Sequence, residues 1–114
     1  MATQEIDQQT YDDLRQMSGA DFVDELVDTF LEDAPERIAE LRSAVTRSDA
    51  DTFRRAAHTL KSNSATFGAH RLAAIARDLE AMGRENRLEG ALEKIKELEG
   101  VYQKVARELK DPRQ

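Results

Sequence analysis

His58 is the side chain of this sequence that best combines reactive chemistry with an accessible position. It lies within residues 53–68, where apolar or small residues recur every three or four positions, as on the core-facing side of an α-helix. That stripe consists of Phe53, Ala57, Leu60, Ser64 and Phe67. At about 100° per residue, His58 falls about 140° from the centre of the stripe, which predicts an imidazole that faces solvent. A histidine side chain is substantially neutral at pH 7 and offers a nitrogen lone pair to an electrophile.

The neighbours of His58 indicate the kind of group that it would meet. Arg54 and Lys61 lie on the same side of the predicted helix, one turn before and one turn after the histidine. The small residues Ser62 and Ala65 border it. An exposed imidazole flanked by cations and small residues suits the receipt and return of an anionic group. The alternative is a solvated, charged helix face without a chemical role.

The length, composition and net charge of the chain exclude several classes of function. A chain of 114 residues corresponds to one domain with a modest core. Cysteine is absent, which excludes disulfides, thiol nucleophiles and zinc–thiolate sites. The net charge of −6 argues against nucleic acid as the main ligand. The apolar runs are too short to span a membrane and the N-terminus lacks signal-peptide features, so we expect a cytoplasmic protein without a membrane partner.

The elements that position His58 are predicted to be helical throughout. The pattern predicts a short helix that ends near Ser18, with its N-cap at about Thr10. It predicts a long helix from Asp21 to Arg47, one helix kinked at Pro35 rather than two. A third helix is capped by Asp49 and ends at Gly68, a fourth runs from Ala69 to Arg84, and a fifth opens at an Asn86–Glu89 capping box. The fifth helix would place Leu88 and Leu92 in its core-facing stripe. Short connections then predict an all-α, antiparallel up-down-up-down four-helix bundle with a short additional N-terminal helix. The ends, about residues 1–9 and 110–114, are expected to fray.

The sequence HTLKSNSATFGA, residues 58–69, resembles the signature of histidine-containing phosphotransfer (HPt) domains. That signature reads His-x-x-Lys-Gly-Ser, then Ser or Ala, two variable residues, Leu or Phe, and Gly. Residues 30–37 and the Leu-Glu-x-x-Gly-Arg segment at residues 79–84 are also typical of the family. The resemblance covers about residues 21–109 and implies that residues 1–114 form a single HPt domain, a four-helix bundle with an accessory helix.

The resemblance implies a relay. HPt domains take a phosphoryl group from an aspartate of one receiver domain, free-standing or in a hybrid sensor histidine kinase, and pass it to an aspartate of another. By this resemblance His58 is the phosphorylated residue, Lys61 reaches the phosphoryl oxygens and Arg54 adds positive field. The family precedent implies a monomeric phosphocarrier without ATP-binding or autokinase activity. No cofactor is expected on this chain, since Mg²⁺ belongs to the acidic site of the receiver.

The resemblance also implies roles for individual residues near His58. Ser62 stands where the family usually has glycine, but is still small enough, with Ala65, to give access to the imidazole. Glu80 occupies the position from which relatives accept the Nδ1 proton and leave Nε2 as the nucleophile; the alternative is an ordinary surface carboxylate. Arg84, one turn later, is expected to orient the site or the partner. His70 is assigned no role.

The family resemblance also implies a docking surface. Apolar residues around the histidine receive the receiver domain in HPt proteins, and the matching positions here are Leu14, Met17, Phe22 and Leu26. Packing of the short helix onto the bundle is an equal alternative for Leu14.

Two other functions stay open at this point. A phospho-accepting domain fed by a chemotaxis-type histidine kinase shares this fold and signature, and a helical adaptor could carry an incidental surface histidine. A complete kinase is excluded, because the chain contains no glycine-rich phosphate loop.

Overall fold

A computed structural model describes residues 4–110, which form five α-helices. These are α1 (Gln8–Ser18), α2 (Ala20–Arg47), α3 (Ala50–Thr66), α4 (His70–Arg84) and α5 (Ala91–Lys110). The described range contains no strand, and its one β-bridge joins Ile6 to Ala69. The all-α prediction is therefore confirmed. Within residues 4–110, no helix is both long enough and apolar enough to cross a membrane.

The helices pack around one core. Helix α2 packs against α3 and α5, α4 packs against α3 and α5, and α1 packs against α2. Ion pairs at the surface join the same elements: Arg42 of α2 with Glu99 of α5, and Lys94 of α5 with Asp78 of α4 at 3.3 Å. The residues that carry the site, on α3 and α4, therefore stand on neighbouring helices.

Helix α2 continues through Pro35 without a break, as the sequence pattern predicts. Its apolar stripe remains buried on both sides of the proline, at Ala34 and at Ile38. Proline removes one helical hydrogen bond, but the continuous burial of one face stabilises the helix across that position.

Two helix starts test the predicted caps. Asp49 caps α3 as predicted, because its carboxylate accepts a hydrogen bond from the backbone N–H of Thr52 at 3.1 Å. The predicted N-cap of α1 is wrong, because the helix begins about one turn earlier. Asp7 precedes the helix, which begins at Gln8, and the hydroxyl of Thr10 donates to Asp7 Oδ2 at 2.6 Å. Thr10 therefore lies inside the first turn rather than at its cap.

The fifth helix begins later than the sequence predicts. Asn86 has a φ of +56°, in the left-handed region, so the predicted capping box cannot open a helix there. The chain turns through Gly90, with a φ of +78°, and α5 starts at Ala91. Leu92 is 56% exposed, so its predicted place in the core is wrong, whereas Ile95 and Leu98 on the same helix are buried. At about 100° per residue, Leu92 lies roughly 100° from the middle of the buried face of α5, so its side chain falls outside that face. Leu88 still packs partly buried against the core, from the turn before α5.

The N-terminal segment differs from the expectation that residues 1–9 fray. Ile6 is buried, and the backbone N–H groups of Glu5 and Ile6 donate to the Glu108 carboxylate at 2.8 and 2.9 Å. The buried carboxylate of Glu5 pairs with Arg71 at 2.7 Å. Lys110, also expected to fray, is the last residue of α5. The rest of that prediction, for residues 1–3 and 111–114, lies outside the described residues.

Candidate functional site

His58 lies on the outer face of α3, as the helical wheel predicts. Its side chain is 56% exposed, whereas the apolar residues on the opposite face of the helix, such as Phe53 and Leu60, are buried. The apolar stripe packs one side of α3 against the core. His58 lies on the opposite side of the helix, so its imidazole faces outward.

Glu80 of α4 meets His58 from the neighbouring helix. Its carboxylate is buried, with the residue 5% exposed, and Oε2 lies 2.9 Å from Nδ1 of His58. Lys61 Nζ lies 2.7 Å from Oε1, and the guanidinium of Arg84 lies 3.3 Å from Oε2. The alternative of an ordinary surface carboxylate is therefore wrong. One buried anion instead brings together the histidine, the lysine and the arginine that the sequence singled out.

The surroundings of Glu80 set its protonation. Burial acts to raise the pKa of the Glu80 carboxyl, but the hydrogen bonds and charges of Lys61 and His58 outweigh it and hold this pKa below its ordinary value of 4.5. The carboxylate is therefore ionised at neutral pH and can only accept hydrogen bonds. It follows that Nδ1 of His58 carries the proton that it donates to Glu80. In the neutral imidazole, the lone pair then resides on Nε2.

The two arginines before His58 are engaged elsewhere. Arg54 lies 2.9 Å and Arg55 3.3 Å from the carboxylate of Asp51, one turn earlier on α3. The structure thus places the guanidinium of Arg54 on Asp51 rather than on the imidazole. Sequence reasoning missed Asp51, although its spacing of three and four residues from the arginines is a usual signal for such pairs.

The small residues beside the histidine are accessible. Ser62 and Ala65 are exposed, and they line a surface groove between α3 and α4. Lys61 and Arg77 stand at the same groove. The approach to this side of α3 is therefore bordered by small side chains and cations. Among residues 4–110, no group of three or more His, Cys, Asp or Glu side chains is placed to hold a metal ion.

The predicted docking residues divide into two kinds. Met17 and Phe22 are exposed apolar side chains, at 86% and 51%. Leu14 and Leu26 are partly buried and pack against the core. Leu26 also lines a pocket with residues of α3 that follow His58, including Asn63. Packing onto the bundle accounts for Leu14, whereas Met17 and Phe22 present exposed apolar surface and Leu26 lies beside α3.

Similarity to known proteins identifies the family of the chain. The family model for the Hpt domain matches residues 25–108. The chain belongs to the Hpt domain family. Histidine-containing phosphotransfer protein B (HptB) from Pseudomonas aeruginosa PAO1 has a similar structure, with a TM-score of 0.90, 29% sequence identity, and coverage of 98% of this chain and 96% of that chain. No curated protein matches the chain.

The family assignment confirms the resemblance found in the sequence. Hpt domains are phosphocarriers rather than ATP-binding kinases, and the likeness to HptB supports a histidine phosphotransfer protein of a phosphorelay.

Proposed function

We propose that His58 accepts a phosphoryl group on Nε2 from an aspartate of one receiver domain and returns it to an aspartate of another. The observation that carries the proposal is the contact between Nδ1 of His58 and the buried, ionised carboxylate of Glu80 at 2.9 Å. A proton held on Nδ1 leaves Nε2 as the nucleophile, on the exposed side of the helix.

In the proposed step, the Nε2 lone pair forms the N–P bond while the P–O bond to the receiver aspartate breaks, and the electron pair leaves with the aspartate oxygen. The phosphorylated imidazole keeps its proton on Nδ1 and carries a positive charge on the ring. Glu80 offsets that charge, since its carboxylate lies within hydrogen-bond distance of the same ring. The return step reverses these changes at the second aspartate.

Lys61 is the residue proposed to contact the phosphoryl oxygens. Its ammonium lies beside the histidine, with its side chain 31% exposed, and is held by Glu80. Phosphoryl transfer depends mainly on positioning and on stabilising charge at the transferred oxygens, so one anchored cation is a useful contribution. Arg54 adds positive field from one turn away. Arg84 acts through Glu80, which its guanidinium contacts. Mg²⁺ is expected in the acidic site of the receiver.

The receiver is proposed to dock across an apolar patch formed by Met17, Phe22 and Leu26. Leu14, which is partly buried and packs against the core, is proposed to belong to the same patch. Two large side chains of this patch are exposed, as expected of a contact surface for a partner protein. Ser62 and Ala65 leave the imidazole open to the receiver's active site.

The helix arrangement that presents this surface is proposed to be the up-down-up-down bundle. Contacts between α3 and α4 run in opposite directions along the chain, since Arg54 meets Gly83 whereas Lys61 meets Glu80. The contacts of α2 with α5, from Arg42 to Glu99 and from Leu31 to Tyr102, follow the same antiparallel order. We further propose that the protein acts as a monomer in the cytoplasm.

The test is phosphoryl transfer to the wild type, to His58→Gln and to His70→Gln. His70 is a matched control, because it is also an exposed histidine at 67%. Phosphorylated receiver domains with Mg²⁺ serve as donors, and phosphoramidate serves as a donor that needs no partner. We expect wild type and His70→Gln to acquire an acid-labile, base-stable label from both sources, and His58→Gln to acquire none.

Other results would contradict the proposal in distinct ways. Labelling of wild type by phosphoramidate but by no receiver would favour a domain fed by a histidine kinase. Labelling of His58→Gln equal to wild type would move the site elsewhere. An unlabelled wild type would leave the helical adaptor as the better description.

A further inference from the structure

Gly83 lies where α4 passes closest to the backbone of α3. It is buried within α4, and a Cβ atom built on it would lie 2.9 Å from the Cα, the Cβ and the N of Arg54. Two of these three atoms belong to the backbone, so rotation of the arginine side chain cannot relieve the overlap. Alanine is normally preferred over glycine inside a helix, so a glycine here calls for a reason in the packing.

The close approach stands beside the His58–Glu80 contact. Gly83 is three residues after Glu80 on α4, and Arg54 is four residues before His58 on α3. Each is therefore about one helical turn from a member of the pair. A change in the spacing of the two backbones at Gly83 would therefore act within about one turn of both the carboxylate and the imidazole.

We propose that Gly83 is a positioning residue that sets the distance between α3 and α4 at which Glu80 can hold Nδ1 of His58. Ordinary van der Waals contact for a Cβ begins at 3.4 Å, so an alanine must push the helices apart by about half an ångström. The Nδ1–Oε2 distance is 2.9 Å, and hydrogen bonds of this kind weaken beyond about 3.2 Å. A displacement that small is therefore enough to release the imidazole from Glu80.

The inference deepens the proposed function where it concerns transfer, but the effect on the hydrogen bond stands without it. The experiment substitutes Gly83→Ala and compares it with Gly100→Ala. Gly100 is also inside a helix, is exposed, and has no atom within 4 Å of an added Cβ. Both variants add one methyl group and both raise intrinsic helix propensity, but only at Gly83 does the methyl group meet the backbone of a neighbouring helix.

The first readout is the long-range ¹H–¹⁵N spectrum of the imidazoles in the unphosphorylated protein, which separates protonated from unprotonated ring nitrogens. We expect wild type and Gly100→Ala to keep the proton of His58 on Nδ1. In Gly83→Ala we expect a mixture of tautomers at His58, with the signals of His70 unchanged. The second readout is receiver-fed transfer, expected to be about 10- to 100-fold slower in Gly83→Ala, as for other small misplacements of reacting groups.

A general loss of stability is controlled by Leu98→Ala, which opens a cavity in the core at a buried residue of α5, a helix that carries neither His58 nor Glu80. If Gly83→Ala unfolds, its spectrum is recorded with trimethylamine N-oxide, which favours the folded state. A Leu98→Ala spectrum with the same tautomer mixture would overturn the inference, because instability alone would then explain the effect.

The outcomes also separate this inference from the proposed function. Wild-type tautomer and wild-type transfer in folded Gly83→Ala would overturn the positioning role and leave the relay intact. A tautomer mixture in Gly83→Ala would support the positioning role even if no receiver phosphorylated the wild type, a result that would count against the relay alone.

Discussion

The two histidines of this protein are both exposed and both lie near a carboxylate, yet their surroundings differ. His58 uses Nδ1 and lies 2.9 Å from a Glu80 side chain that is 6% exposed. His70 uses Nε2 and lies 3.5 Å from an Asp7 side chain that is 44% exposed. Glu80 is also contacted by Lys61 and Arg84, whereas the pKa of Asp7 is lowered chiefly by a hydrogen bond from Thr10.

Exposure of the imidazole therefore does not distinguish the proposed phosphoryl acceptor from the other histidine. The difference lies in the partner, because a buried carboxylate holds one ring nitrogen in one protonation state, while a solvated one is screened by water. The contacts also engage different ring nitrogens: Glu80 contacts Nδ1 of His58 and leaves Nε2, the proposed nucleophile, whereas Asp7 lies beside Nε2 of His70.

Removal of the Glu80 carboxylate should have the largest effect on the rate of transfer, and removal of the Asp7 carboxylate should have none. Glu80→Ala should slow receiver-fed transfer about 10- to 100-fold, the usual cost of removing a group that orients a functional histidine. Asp7→Ala should leave the rate unchanged, because no residue of the proposed site contacts it. Single-turnover transfer under identical conditions measures both. Equal rates for the two variants would remove the distinction between the histidines.

The second prediction concerns the partner that must reach His58. Phe22→Ala and Leu26→Ala should each slow receiver-fed transfer about fivefold, the kinetic equivalent of about 1 kcal/mol of lost contact. Their labelling by phosphoramidate should not change, since that donor does not dock.

Leu92→Ala is the matched control for the docking patch. Leu92 is another exposed apolar side chain, at 56%, but it stands at the start of α5. The docking assignment fails if Leu92→Ala slows receiver transfer as much as the patch variants, or if the patch variants transfer at the wild-type rate.

The smallest effect is on stability in acid. The pKa values of Glu80 and Asp7 are both lowered in the folded protein from ordinary values of 4.5 and 3.8. Each group therefore contributes stability that is present above its ordinary pKa and is lost as the pH falls through its lowered, folded value. The stability advantage of wild type over Glu80→Gln should accordingly shrink as the pH falls below about 4.5.

Urea unfolding between pH 7 and pH 3 measures this advantage, with Asp7→Asn as the comparison. The exposed position of Asp7 should make its contribution smaller, because solvent screens its interactions. An advantage over Glu80→Gln that stays constant across this range, or grows in acid, would show that the charge of Glu80 does not stabilise the fold.

Much of the site was predictable, because its signals are local. The stripe from Phe53 to Phe67 correctly placed His58 on the outer face of α3, and the spacing of Lys61 put it on the same side. The burial of Glu80 was not predictable from its own helix, since it depends on how α4 is rotated against α3. The pairing of Arg54 with Asp51 was predictable as well, since the two residues are three positions apart on one helix, but the spacing was overlooked.

Local sequence patterns are enough to predict that this protein is helical, which faces of its helices are buried and that His58 faces outward. These properties follow from contacts within about one turn of the chain. Two other features depend on distances between elements and required the tertiary structure. These are the contact of Glu80 with Nδ1 of His58 and the burial of Ile6 against the bundle. The late start of α5 likewise depends on the turn before it, where Asn86 and Gly90 have a positive φ. Hydrogen bonds form over a range of a few tenths of an ångström, and that precision comes from the packing of whole helices.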